Sequence, residues 1–368
     1  MLYHLLPQFA DVHILFNVFN YLTFRSVGAV VTSYVLVFVA GPATIRRLQL
    51  HRVGQVIRED GIEAHLSKAG TPTMGGSLIV LSAALSTLLW AELTNAFVLL
   101  ALLGLLWMGA IGFMDDYLKI VRNQPRGLVA KYKLLGQLSF GLALGLLLLL
   151  RPVSSIPPTW TMVPFFEGWV AAFWPPAYVA FVAFVVCGTS NAVNLSDGLD
   201  GLAAGLGAIA LATFAVFAYL IGRIDTSAYL GLLYLPGSGE LAIFAAALAG
   251  GAVGFLWFNS HPAQVFMGDT GSLAIGGALA VLAILLKAEF LLLLVGAVFV
   301  AEVLSVILQV GWFKYTRRQS GTGRRILRMA PLHHHFEKAG WAESQVVVRF
   351  WILGVLSALV ALSTLKVR

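Results

Sequence analysis

The sequence predicts an all-α integral membrane protein of about ten transmembrane helices. Two observations predict it. The chain is 59% hydrophobic and only 11% charged, against roughly 25% charged for an ordinary soluble domain. Apolar stretches of about 20 residues, enough to cross about 30 Å of hydrocarbon, also recur along its whole length. They lie near 22–45, 74–93, 96–113, 134–150, 176–190, 202–222, 241–258, 272–286, 290–312 and 346–365, the eighth being short. The expected organisation is a single polytopic domain over 1–368.

Taken in order, residues 1–20 are apolar and carry no basic n-region, the first Arg being Arg25. They read as an interfacial lead-in rather than a cleaved signal peptide. Ten spans put both termini on one side. The loops after the first, third and ninth spans hold most of the 24 Lys and Arg residues, which makes those loops cytoplasmic and the termini periplasmic. On the opposite face, residues 151–175 are rich in proline and aromatics and suit a short strand or interfacial helix. Residues 223–240 are rich in Gly, Tyr and Leu. Cys187 is the one cysteine; it forms no internal disulfide and reads as a small buried hydrophobe. The net charge of +7 orients the chain, and no nucleic-acid-binding signature accompanies it.

Parity gathers three acidic loops at the cytoplasmic face: Asp115-Asp116 after the third span, Asn191 through Gly201 after the fifth, and Val265 through Asp269 before the eighth. Carboxylates at a bilayer boundary are costly and rarely serve packing. Several on one face, beside Lys68, Lys119, Lys131 and Lys133, suit a divalent metal and a phosphorylated substrate. Small polar residues open three of the helices that start there: Thr73 to Ser77, Asp200-Gly201, and Asp269 to Ser272. Thr270 and Ser272 read first as helix N-caps. Three successive histidines, His333, His334 and His335, spread about 100° apart on a helix, so contact with phosphate or sugar suits them better than one zinc ion. Glu302 interrupts the ninth span; it is either protonated and hydrogen-bonded between helices or faces a cavity. Gln309, about two turns nearer the cytoplasm, is the better ligand contact.

These motifs carry a resemblance over essentially the whole chain. Lys68 to Gly76, the Asp115-Asp116 run, Asn191 to Gly201, Phe258-Asn259 through Asp269, and Met329 to Glu337 with its triple histidine are similar to the polyprenyl-phosphate N-acetylhexosamine-1-phosphate transferases, in their phospho-MurNAc-pentapeptide transferase branch. The stretch Arg317 to Gly323 looks slightly longer than that pattern. The resemblance implies a ten-helix enzyme, a homodimer of the bacterial inner membrane, that uses Mg²⁺ to join the sugar phosphate of UDP-MurNAc-pentapeptide to undecaprenyl phosphate, giving lipid I and UMP. It implies Asp269 as principal metal ligand. Asp115 and Asp116 would handle the lipid phosphate and metal, Asp115 as general base or nucleophile, and Lys119 and Lys131 would stabilise phosphate charge. Asn191, Asn194, Asp197 and Asp200 would organise the nucleotide diphosphate. Lys68, Gly198, Leu199, Phe266 and Gln309 would surround uridine, with Thr73 and Asn259 also binding substrate. The histidines, His334 as a catalytic group, would serve the sugar-pentapeptide side or the phosphate.

Three rival classes share parts of this pattern. A transporter needs mid-membrane charges and pseudo-symmetric halves, whereas here the charges gather at one face. A CDP-alcohol phosphotransferase needs an Ala-Arg that the Asp197 to Gly201 run lacks. The sister GlcNAc-1-phosphate transferases differ mainly in the histidine loop.

Overall fold

Apolar sequence this continuous folds into helices because a helix satisfies every backbone polar group within itself. In the computed structural model described here, all residues are described except 51–69, 121, 123, 125–126, 167 and 367–368. Short helical turns at Leu2–Leu5 (α1), Leu6–Phe9 and Ile14–Asn20 lead into α2 (Leu22–Leu50). There follow α3 (Gly76–Trp90), α4 (Ala96–Ile120), α5 (Ala130–Leu150), α6 (Pro175–Ser196), α7 (Leu202–Ile221) and the short α8 (Ile224–Leu230). The chain continues through α9 (Glu240–Asn259), α10 (Gly268–Leu285), the short α11 (Glu289–Val295), α12 (Ala297–Ser320), the short α13 (Leu332–Lys338) and α14 (Glu343–Ser363). Nine of these are long and apolar enough to cross a membrane, and α3 is apolar but shorter, among the described residues. The tenfold pattern of apolar spans is therefore present as helices, but the short one is the second, α3, and not the eighth, which α10 fills.

The helix ends differ from the hydropathy boundaries, each for a local reason. α3 starts late because the preceding residues are tied to the segment before α10. Phe266 N–H donates to Pro72 O at 2.8 Å, Gly75 N–H to Phe266 O at 2.9 Å, and Gly76 N–H to Met267 O at 2.8 Å. α4 runs on through Asp115, Asp116 and Lys119, so these residues lie in its last turns rather than in a loop. An ion pair of 2.5 Å between Lys119 and Asp115, four residues apart, supports that extension. α6 likewise carries Asn191 and Asn194 within the helix. The expected ninth span is broken at Gly296 into α11 and α12. Between α5 and α6, β1 (Trp160–Met162) and β2 (Val170–Ala172) pair antiparallel with Thr161 opposite Ala171, so the expected short strand is a two-stranded hairpin.

α10 is buried on nearly every side and forms the axis around which the site is built. Close approach at its N-terminal end depends on glycine: a Cβ on Gly112 of α4 would lie 2.1 Å from Asp269 O, and one on Gly76 would lie 2.3 Å from Gly271 Cα. Small residues let helices meet this closely in a bilayer. The opposite end of the bundle is closed by other polar contacts. Arg25 donates to both oxygens of buried Glu240, at 2.8 and 2.6 Å. The hairpin is tied to the α10–α11 junction by Met162 N–H to Lys287 O at 2.8 Å and by a hydrogen bond from the Thr161 hydroxyl to Glu289.

Candidate active site

The C-terminal turns of α4 and α6 and the first turn of α10 come together at one end of the bundle. Asp269, in the first turn of α10, accepts from Lys119 Nζ at 3.0 Å and Lys133 Nζ at 2.7 Å on Oδ2, and from Asn194 Nδ2 at 3.0 Å on Oδ1. Asp115 is buried; its Oδ1 accepts from Leu128 N–H at 2.7 Å, and its Oδ2 pairs with Lys119. Oxygens of Asp115, Asp116 and Asp269 lie within 4.8 Å of one another. Asp197 is half-buried nearby. Burial first, then the charges of Asp269, Asp116 and Asp200, hold its carboxyl well above the ordinary carboxylate range.

Asp116 does a different job from its neighbour. Its Oδ1 accepts from Asp269 N–H at 3.2 Å, and its Oδ2 accepts from Thr270 N–H at 2.9 Å and from the Thr270 hydroxyl at 2.6 Å. A carboxylate from α4 thus caps the N-terminus of α10, where free N–H groups favour negative charge. Thr270 and Ser272, expected as the caps, are not: Thr270 donates to Asp116, and the Ser272 hydroxyl donates to Gly268 O at 3.0 Å. The reason is geometric, since the buried α10 end meets α4 before its own side chains can fold back. Thr73 lies at the same junction: a Cβ added to Gly268 would sit 2.8 Å from Thr73 Oγ1 and 2.7 Å from Asp116 Oδ2.

The loop from Asp197 to Gly201 is held from three sides. Asn259 accepts from Gly201 N–H at 3.0 Å and donates to Val265 O at 2.9 Å. Asp200 accepts from Ala263 N–H at 3.1 Å and meets His261 Nδ1 at 3.1 Å, while Asp200 N–H donates to Glu343 at 2.8 Å. Leu199 is buried in the core. Gly198 faces the ring of fully buried His333, so that a Cβ there would lie 2.3 Å from His333 Nε2. Gly198→Ala must therefore displace α13 or the loop. We expect it to lower turnover by about tenfold or more in folded protein, checked by initial rates; unchanged rates would show that the contact is unimportant.

Other expected residues make their recorded contacts elsewhere. Lys131 is exposed, with its ammonium 5.0 Å from the Tyr132 ring centroid. Lys133 occupies the position at Asp269 instead. Residues 133 and 137 are four apart on α5, and Gln137 is buried against Asn191, whose Nδ2 donates to it at 2.7 Å. That polar i, i+4 pair in an apolar helix was the signal for Lys133. Gln309 gives its amide to a loop, accepting from Ile326 and Leu327 N–H and donating to Leu327 O, each at 3.0 Å. His334 Nδ1 lies 2.7 Å from Glu337, and His335 Nδ1 accepts from Arg328 N–H at 3.1 Å. Phe266 is half-buried beside the extended strand-like pairing to Pro72 and Gly75. Lys68 lies outside the described residues.

Comparison with known proteins fits this geometry. The model of the family described as glycosyl transferase family 4 matches residues 97–287, the stretch that holds all three carboxylates; the class is that of membrane-embedded glycosyl transferases. Along its full length the chain is 54% identical to the phospho-N-acetylmuramoyl-pentapeptide-transferase of Gemmatimonas aurantiaca. It is 51% identical to that of Citrifermentans bemidjiense and 48% to that of Chloroherpeton thalassium, and each pairing covers 100% of both chains. The chain belongs to the phospho-N-acetylmuramoyl-pentapeptide-transferase family.

Proposed function

We propose that the protein transfers phospho-MurNAc-pentapeptide from UDP-MurNAc-pentapeptide to undecaprenyl phosphate, forming lipid I and releasing UMP, the first membrane step of peptidoglycan synthesis. The observation that carries this reading is the meeting of Asp115 and Asp269 with Lys119 and Lys133 at one end of an apolar bundle. A lipid-borne phosphate and a soluble nucleotide can meet only at such a boundary. The excess of Lys and Arg in the loops after the first, third and ninth spans supports a cytoplasmic position for that end at the inner membrane, with both termini periplasmic. The chain works as one polytopic unit and, by its family resemblance, as a homodimer.

Mg²⁺ fits the donor set. The three carboxylates offer hard oxygens at close spacing. Asp269 and Asp115 would hold the ion, and Asp116, the third carboxylate, fixes the backbone that carries Asp269. When bound, the ion would neutralise charge on the diphosphate and the departing UMP.

The protein's own groups supply the rest. An oxygen of the lipid phosphate forms a bond to the sugar-linked phosphorus. The bond from that phosphorus to the oxygen bridging to UMP breaks, and its electron pair leaves with UMP. Lys119 and Lys133 stabilise the charge spread over the phosphate oxygens, which is where positioning and electrostatics contribute most. Asp115 takes the residual proton of the attacking phosphate, which is already largely ionised near neutrality. Asn194 holds Asp269 in register. The Asp197–Gly201 loop, with Asn259 beneath it, forms the nucleotide side, and the histidine segment forms the sugar-peptide side.

The test is release of UMP by purified protein given undecaprenyl phosphate and Mg²⁺, with UDP-MurNAc-pentapeptide and UDP-GlcNAc compared side by side. Release with the muramoyl substrate alone is expected. Release only with UDP-GlcNAc would move the chain's specificity to the sister transferases, and release with neither would overturn the reading.

A further inference from the structure

Helix α12 carries three polar side chains at residues 302, 309 and 316, spaced seven apart along an apolar helix. Seven residues bring a helix back to nearly the same face, about 10 Å further along. All three point at the same partner, the chain that follows α12. That chain reverses at Gly321, whose φ of 74° suits glycine, and returns alongside the helix it has just left. Thr316 Oγ1 accepts from Arg324 N–H at 2.9 Å. Gln309 Oε1 accepts from Ile326 and Leu327 N–H, and its Nε2 donates back to Leu327 O, each at 3.0 Å. Glu302 accepts from Leu332 N–H at 2.7 Å and from His333 N–H at 3.2 Å. The order of contacts is antiparallel, and the last rung is the N-terminus of α13.

Glu302 resolves one of the alternatives left open by the sequence: it is fully buried and binds between segments. Its Oε1 also lies 3.2 Å from Nδ1 of His333, which is itself fully buried. Neither ring nitrogen of His333 makes a directed hydrogen bond among the described residues, and Nε2 faces Gly198 with no room for a methyl group. An unbroken line of contact thus runs from Glu302 through His333 to the Asp197–Asp200 loop.

We infer that the Thr316–Gln309–Glu302 stripe is a positioning track that lays the histidine segment back into the site, with Glu302 the positioning residue that acts through His333 on the Asp197–Asp200 loop. Glu302 itself touches no reacting atom. It fixes the start of α13 through the Leu332 and His333 N–H groups, and so the place of the His333 ring against the loop that forms the nucleotide side of the site. The functional half of this inference rests on the transferase reading above; the structural half does not.

Two measurements on full-length protein in detergent test it. In amide hydrogen exchange, Glu302→Ala is expected to raise exchange at residues 332–333 by about tenfold or more, and Gln309→Ala at 326–327, with α10 unchanged. Unaltered exchange at both places would overturn the track, whatever the protein's substrate proves to be. In kinetics, Glu302→Gln, which keeps an acceptor oxygen and so favours recovery of folded protein, is expected to lower kcat/KM about tenfold. In a His333→Ala background the same substitution is expected to cost less than about twofold, because its route to the site is gone. Losses that multiply independently in the double variant would overturn the action through His333. An inactive wild type with the expected exchange pattern would count against the transferase reading and leave the track standing.

Discussion

Asp269→Asn is expected to lower turnover by at least about 10³-fold while the protein remains folded. The carboxylate is the point at which Lys119, Lys133 and Asn194 converge. An amide cannot carry the charge that draws a divalent ion, and it leaves two ammonium groups at the site without their shared partner. The α10 cap would survive, since Asp116 binds the backbone N–H groups of Asp269 and Thr270 rather than the Asp269 side chain. The informative pairing is therefore rate with thermal midpoint. Near-normal rates in the variant would remove Asp269 from the metal site. Asp116→Asn is expected to differ in kind, losing both activity and stability, because it weakens the cap of a buried helix.

The second large effect separates two lysines that the sequence alone does not. Lys133→Met is expected to reduce kcat about 10²-fold, and Lys131→Met to change it by less than about threefold. Lys133 lies 2.7 Å from Asp269 and 4.0 Å from Asp115, whereas Lys131 points away to Tyr132. Methionine keeps the length and apolar stem of lysine and removes only the charge. Equal losses in the two variants would contradict the assignment of Lys133 to the site.

The bundle was legible because hydropathy of this strength has one physical outcome in a bilayer. Parity added that Asp115, Asn194 and Asp269, far apart in sequence, would reach the same end; Asn194 bonds Asp269, and Lys119 pairs with both Asp269 and Asp115. The helix ends were less legible. Hydropathy stops α4 at its last apolar residue, but Asp115 and Lys119 continue the helix by pairing four residues apart. The caps were illegible for a different reason. Thr270 and Ser272 have the right chemistry at the right place, yet the cap of α10 comes from Asp116 on α4, a tertiary contact that no local pattern encodes. Gln309 shows the same limit: polar residues in an apolar helix suggest ligand contacts, and here the partner is the chain's own returning segment.

A transferase site of this kind makes a lipid diphosphate sugar at the expense of a nucleotide diphosphate. The most direct measurement is mass-spectrometric identification of the lipid product when purified protein is given UDP-MurNAc-pentapeptide and undecaprenyl phosphate, with and without Mg²⁺. The account predicts undecaprenyl-diphospho-MurNAc-pentapeptide and UMP in equal amounts, formed only with the metal. Folded protein that leaves both substrates unchanged, or that releases UMP without forming that lipid, would contradict it.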